Sequence, residues 1–277
     1  MRGQKVWGVV WGTYLVCYVF RLLEYFVWRT DQTWVGEAVV HKLLGIAILF
    51  FAAALMKYTP EQIGFAKENA FRNLGKGLAF GCAVFAVAYG AEILIMSAQG
   101  AYRSLDWYVS AYAIDQNIGN RTEALFFLIC IIGNVINVVM EEGVFRGFFQ
   151  KVLEQKYSFV VSAIIASCFF GVWHMIGPIR NFLDGTMSRN GMIANAVMLV
   201  VTSALVGFKF AMLTHITKSH YMAMGDHFVN NTIVNLLHVV SNSGADEMMV
   251  VRVSVAQSLS FVCVLVCFIV LNRKKKK

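Results

Sequence analysis

Apolar residues in this chain run on in long unbroken stretches instead of alternating, and short polar breaks separate one stretch from the next. Eight such stretches stand out, near 6–28, 36–56, 78–97, 123–145, 160–181, 191–212, 221–240 and 252–271. A bilayer core is crossed by about 20 apolar residues of helix, so each stretch predicts a spanning helix. Helices are preferred to a barrel because barrel strands would alternate, and because a spanning helix satisfies all of its own backbone groups. The pattern therefore predicts an all-α polytopic membrane protein of about eight transmembrane helices. With no internal repeat and no low-complexity linker, residues 1–277 read as a single integral membrane domain.

The breaks carry their own signals. In "TPEQIGFAKENAFRNLG", Thr59, Pro60 and Gln62 suit the N-cap, N1 and N3 positions of a capping box. Ile63, Ala66, Ala70, Phe71 and Leu74 then fall on one side, which predicts a short amphipathic helix on the membrane surface. The loop 98–121 holds Tyr102, Trp107, Tyr108 and Tyr112, aromatic residues of the kind that anchor at a membrane interface. Pro178 should bend or end the fifth span, and "SNSGADE" at 241–247 reads as a polar external turn.

Composition agrees. Of 277 residues, 58% are hydrophobic, only 14% are charged and two are proline, values that exclude an ordinary soluble domain. The formal charge of +8 is mostly orientation. Placing both termini in the cytoplasm puts Lys57, Lys67, Arg72, Lys76, Lys151, Lys156, Lys218 and the tail "RKKKK" inside, as expected of a prokaryotic cytoplasmic membrane protein. Lys274 to Lys277 suit anionic lipid headgroups, not nucleic acid. The first span follows "MRGQK", is long and lacks a small-residue cleavage site, so it reads as a retained anchor. The six cysteines lie in apolar runs without CxxC spacing and read as packing residues.

Polar residues inside the spans change the picture, because an ionisable group in a bilayer is costly and usually faces a protein interior or a cavity. "MEEGVFRG" places two glutamates at the end of the fourth span. Asn134, Asn137 and Glu141 recur along one helix face, while Glu142 and Arg146, four apart with the acid first, are disposed to pair. That leaves Glu141 to point elsewhere. Phe170 and His174 stand four apart in the fifth span, and His227, Asn231 and Asn235 line one face of the seventh. Together they make an intramembrane catalytic cavity the natural expectation.

Peptide hydrolysis needs a water, a base to activate it and donors for the oxyanion. Glu141 can take the proton, His174 can hold the water, and His227 and Asn231 can donate to the oxyanion. Glu141, His174 and His227 are also acceptable zinc ligands, and a metal-bound hydroxide is the alternative nucleophile. The metal-free version, with no cofactor, is preferred because no HExxH pair is present. No GxSG serine motif occurs, and "AMGD" at 223–226 lacks the first glycine of a GxGD aspartyl motif. The same Glu and His residues also suit the proton relay of a transporter.

"EEGVFRG" (141–147), "FGVWH" (170–174) and "HFVNN" (227–231) resemble, in order and spacing, the EExxxR, FxxxH and HxxxN motifs of the CAAX protease and bacteriocin-processing (CPBP, or Abi) membrane proteins, in particular their type II CAAX prenyl endopeptidases. The resemblance is strongest over 60–240. It implies an intramembrane endopeptidase in which Glu141 and His174 activate water, His227 and Asn231 form the oxyanion site, and Glu142, Arg146 and Phe170 support them. It implies a hydrophobic or prenylated peptide as substrate; other members of the family confer bacteriocin immunity or act as scaffolds without proteolysis. His41, His215, His220 and His238 match no motif and are expected to be dispensable for hydrolysis.

Depth adds one requirement. Glu141 and His174 share a level roughly 15–20 Å into the membrane only if the fourth helix continues past Arg146 to about Gln150 and the fifth begins near 161.

Overall fold

Two of the polar breaks supply side-chain helix caps. Ser158 accepts a hydrogen bond from the Val161 amide at 3.5 Å, and Ser188 one from the Gly191 amide at 3.1 Å, so each opens a helix. The computed structural model describes residues 2–110 and 119–274; Tyr112 of the loop 98–121 and Lys275, Lys276 and Lys277 of the tail lie outside the described residues.

In chain order the elements are α1 (Arg2–Leu23), α2 (Val40–Leu55), α3 (Ala70–Ala98), β1 (Tyr102–Trp107), α4 (Ala124–Leu153), α5 (Phe159–Trp173), α6 (Ile176–Leu183), α7 (Arg189–Thr217), α8 (Tyr221–Leu236), β2 (Leu237–Ser241) and α9 (Met249–Lys274). This is an all-α polytopic membrane fold, and its outward faces are apolar: Leu15, Phe51, Leu94, Val201 and Val262 are all exposed, as a lipid-facing surface requires.

All eight apolar stretches contain a helix, but only six helical segments among the described residues are long and apolar enough to cross a membrane. The two exceptions, α2 and α8, have 16 residues each, about 24 Å of helix against a core of roughly 30 Å. For α8 the cause is that its apolar continuation, "LHVVS", leaves the helix as β2 and pairs antiparallel with β1. The loop predicted over 98–121 thus contains a strand. Tyr108, expected as an interface anchor, instead stacks on His238 with ring centroids 3.9 Å apart.

The surface helix predicted from Thr59 is also corrected. Its capping box forms, with the Gln62 amide donating to Thr59 Oγ1 (3.4 Å) and the Thr59 amide to Gln62 Oε1 (2.9 Å). Only one 3-10 turn follows, Glu61–Ile63, because Gly64 then adopts φ +96° and turns the chain against the His220 ring.

Two features of the core position the site. First, α3 and α8 touch backbone to backbone: a Cβ on Gly77 would lie 2.1 Å from the Met222 carbonyl oxygen, and one on Gly225 2.6 Å from that of Leu74. Second, α4 is one helix of 30 residues that runs past Gln150 to Leu153, as the depth argument asked, while α5 begins at Phe159, two residues before the start near 161. Within α4, Glu142–Phe149 is a π-helix, whose i→i+5 bonding marks functional segments of longer helices. Gly143 and Gly147 let α2 and the Ile63 carbonyl approach it closely. As Pro178 requires, the fifth span is broken; the break falls at His174 and Met175 because a proline cannot donate to the carbonyl four residues earlier and its ring crowds that group.

Candidate active site

The π-helix sends the adjacent glutamates to different partners. Glu142 and Arg146, both fully buried, form the expected ion pair; Nε donates to Glu142 Oε2 at 2.6 Å and a second, shorter contact joins Nη2 to Oε1. The guanidinium also lies 4.1 Å from the Phe170 ring centroid, which is how Phe170 supports the first motif.

Glu141, only 2% exposed, is held by three helices. Asn137 Nδ2 donates to Oε2 at 3.1 Å and Trp173 Nε1 donates to Oε1 at 3.1 Å, while Arg21 Nη1 of α1 stands 4.0 Å from Oε1. Asn134, expected on the same face, turns to Cys130 instead.

His174 caps the end of α5 and donates from Nδ1 to the Phe170 carbonyl at 2.8 Å. That bond leaves Nε2 with its lone pair. His227 bridges the two glutamates: Nδ1 is 2.8 Å from Glu142 Oε1, and Nε2 is 3.6 Å from Glu141 Oε2. Its ring stacks on Phe210 with centroids 4.7 Å apart. Asn231, one turn along α8, accepts from Asn230 Nδ2 at 3.0 Å, and its own carbonyl accepts from Asn235 Nδ2 at 2.9 Å.

Phe170, His174, His227 and Asn231 all line one cavity of about 630 Å³ between α5, α7, α8 and α9. Glu141 is not on its wall and lies behind His227. The remaining walls are mostly apolar, with Met198, Leu205, Val206, Val250 and Phe261 among them. Leu205 and Val250 are 51% and 58% exposed, so the cavity mouth opens within the apolar outer surface.

Three site residues escaped the sequence analysis: Arg21, Trp173 and Phe210. Arg21 had a usable signal, since a cation inside a span asks for a partner. Trp173 had a weaker one, an indole N–H inside an apolar run that must find an acceptor. Phe210 had none. Of the histidines outside the motifs, His41 pairs with Glu24 at 2.5 Å, His220 binds the Ile63 carbonyl, and His238 joins Asp246 at 3.1 Å.

Among the described residues, no three His, Cys, Asp or Glu side chains are grouped so as to hold a metal ion. Glu141, His174 and His227 each spend at least one ligand atom on a protein hydrogen bond.

Helices that bring two histidines and an asparagine to one cavity, with a buried glutamate pair behind them, define a polytopic membrane protein with a buried polar site. Residues 123–233 match the family model described as type II CAAX prenyl endopeptidase Rce1-like, the family that the three motifs resemble. Over those residues the chain is similar to the CAAX-type prenyl endopeptidases. No curated protein matches the chain.

Proposed function

We propose that the chain is an intramembrane endopeptidase that cleaves a peptide bond in a hydrophobic or prenylated CAAX-type peptide without a metal. The observation that carries this reading is that His174, His227 and Asn231, from two different helices, share the floor of one apolar cavity with a buried glutamate directly behind them.

The substrate's apolar part enters from the lipid side, where Leu205 and Val250 flank the mouth, and never has to cross water. A water held by His174 Nε2 attacks the peptide carbonyl while its proton passes to Glu141, a transfer that needs the His227 ring to move off the carboxylate it covers; Glu141 later returns that proton to the leaving amine. The Arg21 guanidinium and the Trp173 and Asn137 donors keep the carboxylate oriented throughout. Asn231 Nδ2 supplies one hydrogen bond to the oxyanion. His227 supplies the other from Nε2 when its ring carries both protons, since Nδ1–H is already committed to Glu142. Both termini lie in the cytoplasm in this reading, with the basic loops on the same side.

The test is cleavage of a fluorogenic farnesylated CAAX peptide by detergent-purified protein, comparing wild type with Glu141→Ala, each with and without a zinc chelator. Cleavage that survives the chelator and disappears in the variant is expected. Chelator-sensitive cleavage would replace the water-activating pair with a bound metal. If the wild type is also inactive, prenyl-peptide cleavage falls, and the fold serves leader-peptide processing, immunity or scaffolding instead.

A further inference from the structure

Beyond the motif residues, an unbroken polar chain runs from a buried cation to the cavity. It starts at Lys209 of α7, which is 0% exposed although it lies in the middle of an apolar helix. Its ammonium is ion-paired with Asp226 Oδ2 at 2.7 Å and donates to Gln257 Oε1 at 2.9 Å and to Ser260 Oγ at 2.9 Å. Gln257 of α9 then donates from Nε2 to Asn230 Oδ1 at 2.7 Å, and Asn230 donates from Nδ2 to Asn231 Oδ1 at 3.0 Å. The chain ends at Asn231, on the cavity wall.

The direction of every bond in this chain is dictated by its first member. An ammonium has three hydrogens and no acceptor, so Gln257 must turn its oxygen to Lys209 and its NH₂ to Asn230. Asn230 must in turn offer its oxygen to Gln257 and its NH₂ to Asn231. Asn231 is left with its oxygen satisfied from behind and its NH₂ free for the cavity. An asparagine amide is otherwise close to symmetric in shape, and either end fits the same space.

We infer that Lys209, Gln257 and Asn230 are positioning residues that lock the Asn231 amide with its NH₂ toward the cavity, making it an obligate donor to the oxyanion. This rests on the reading of Asn231 as an oxyanion donor. The assignment explains why a charged pair, Lys209 with Asp226, is kept within the membrane-spanning bundle, where it is costly and contacts neither Glu141 nor His174. Asp226 neutralises the cation, and the cation gives the amide chain its direction.

Gln257→Glu tests this, because it keeps shape and packing but reverses polarity. A carboxylate accepts from Lys209 and also from Asn230, so the Asn230 amide turns over. Asn231 then turns over as well and presents an oxygen to the oxyanion. The expected result is a fall in kcat of about 100-fold with KM unchanged, as for loss of one oxyanion donor, and a melting temperature close to that of wild type. Gln257→Met, which breaks the chain without reversing it, should lose less. In an Asn231→Ala background, Gln257→Glu should change kcat by no more than about twofold, because its only route to the reaction is gone. If Asn231→Ala lowers kcat but Gln257→Glu does not, or if the two losses multiply, the relay is wrong and the oxyanion reading stands. If Asn231→Ala itself leaves kcat unchanged, both fall.

Discussion

His227 and Glu142, 85 residues apart, meet through a 2.8 Å contact between Nδ1 and Oε1, deep in the bundle and on the same carboxylate that Arg146 grips. The second glutamate of the first motif therefore has two duties. It neutralises a buried guanidinium, and it sets which nitrogen of His227 faces Glu141.

From this follows a double phenotype for Glu142→Gln. An amide cannot serve both the Arg146 fork and the imidazole, and the fully buried guanidinium is left without its counter-charge. Breaking a buried pair from one side costs about 3–5 kcal/mol. The protein that remains folded should lose about 100-fold in kcat, the usual scale for disturbing an oxyanion donor. Thermal melts and single-turnover kinetics on the same preparation separate the two effects; an unchanged kcat would mean that His227 needs no partner.

Trp173→Phe should isolate the indole N–H. Trp173 is 1% exposed, packs against Tyr14, Tyr18 and Phe145, and lies under the Arg21 guanidinium at 4.4 Å, and a phenyl ring keeps most of that packing. What is lost is the 3.1 Å bond to Glu141 Oε1. We expect a stability loss of about 1.5–3 kcal/mol, as for a hydrogen bond to a charged group, and a kcat lowered about tenfold with KM retained. A variant as active as wild type would show that Asn137 and Arg21 suffice to hold the carboxylate.

The α3–α8 crossing offers a paired test of positioning at a distance. A Cβ at Gly77 would meet the Met222 carbonyl oxygen at 2.1 Å, so Gly77→Ala must push α8 outward, and α8 carries His227 and Asn231. Overpacking of this kind costs about 1–3 kcal/mol, and a displacement of about 1 Å at the reacting groups is worth about 100-fold in rate. Gly75, in the same helix, has nothing within 4 Å of its Cβ position, and Gly75→Ala should leave both stability and kcat intact. Equal effects at the two positions would remove the crossing as the cause.

The motif residues could be read from the chain because they break the apolar pattern at helical spacing: Glu142 is legible as the acid paired with Arg146 and Glu141 as the acid left to point elsewhere. The long fourth helix was legible from geometry, since Glu141 and His174 share a depth only if it forms. Three things were not. The π-helix over Glu142–Phe149 leaves no periodic trace in eight residues, four of them valine or phenylalanine and two of them glycine. The strand "LHVVS" is as apolar as the helix it follows, and only its pairing with "YRSLDW" makes it a strand. Trp173 and Arg21 reach Glu141 from other helices, and contacts across a bundle depend on helix rotation, which hydropathy does not report.

A last prediction concerns the far end of the bundle, where Asp246 ties β2 to α9. It bonds His238 at 3.1 Å and Arg252 at 2.5 Å, and Arg252 in turn reaches Glu92 of α3 at 2.7 Å. Burial alone would push the Asp246 carboxyl up, but its bonds to His238 and Arg252 outweigh that and hold it below the ordinary range. A carboxyl lowered on folding adds stability above its unfolded value of about 3.9 and loses it as the pH falls through the folded value. Asp246→Asn should therefore cost about 2–3 kcal/mol at pH 7, and the gap to wild type should narrow as the pH drops below about 4. Cleavage by the folded fraction should be unaffected, since neither His238 nor Arg252 lines the cavity. Melting curves at pH 7 and in the acid range decide it: a gap that stays constant with pH would show that Asp246 acts by packing and not by charge.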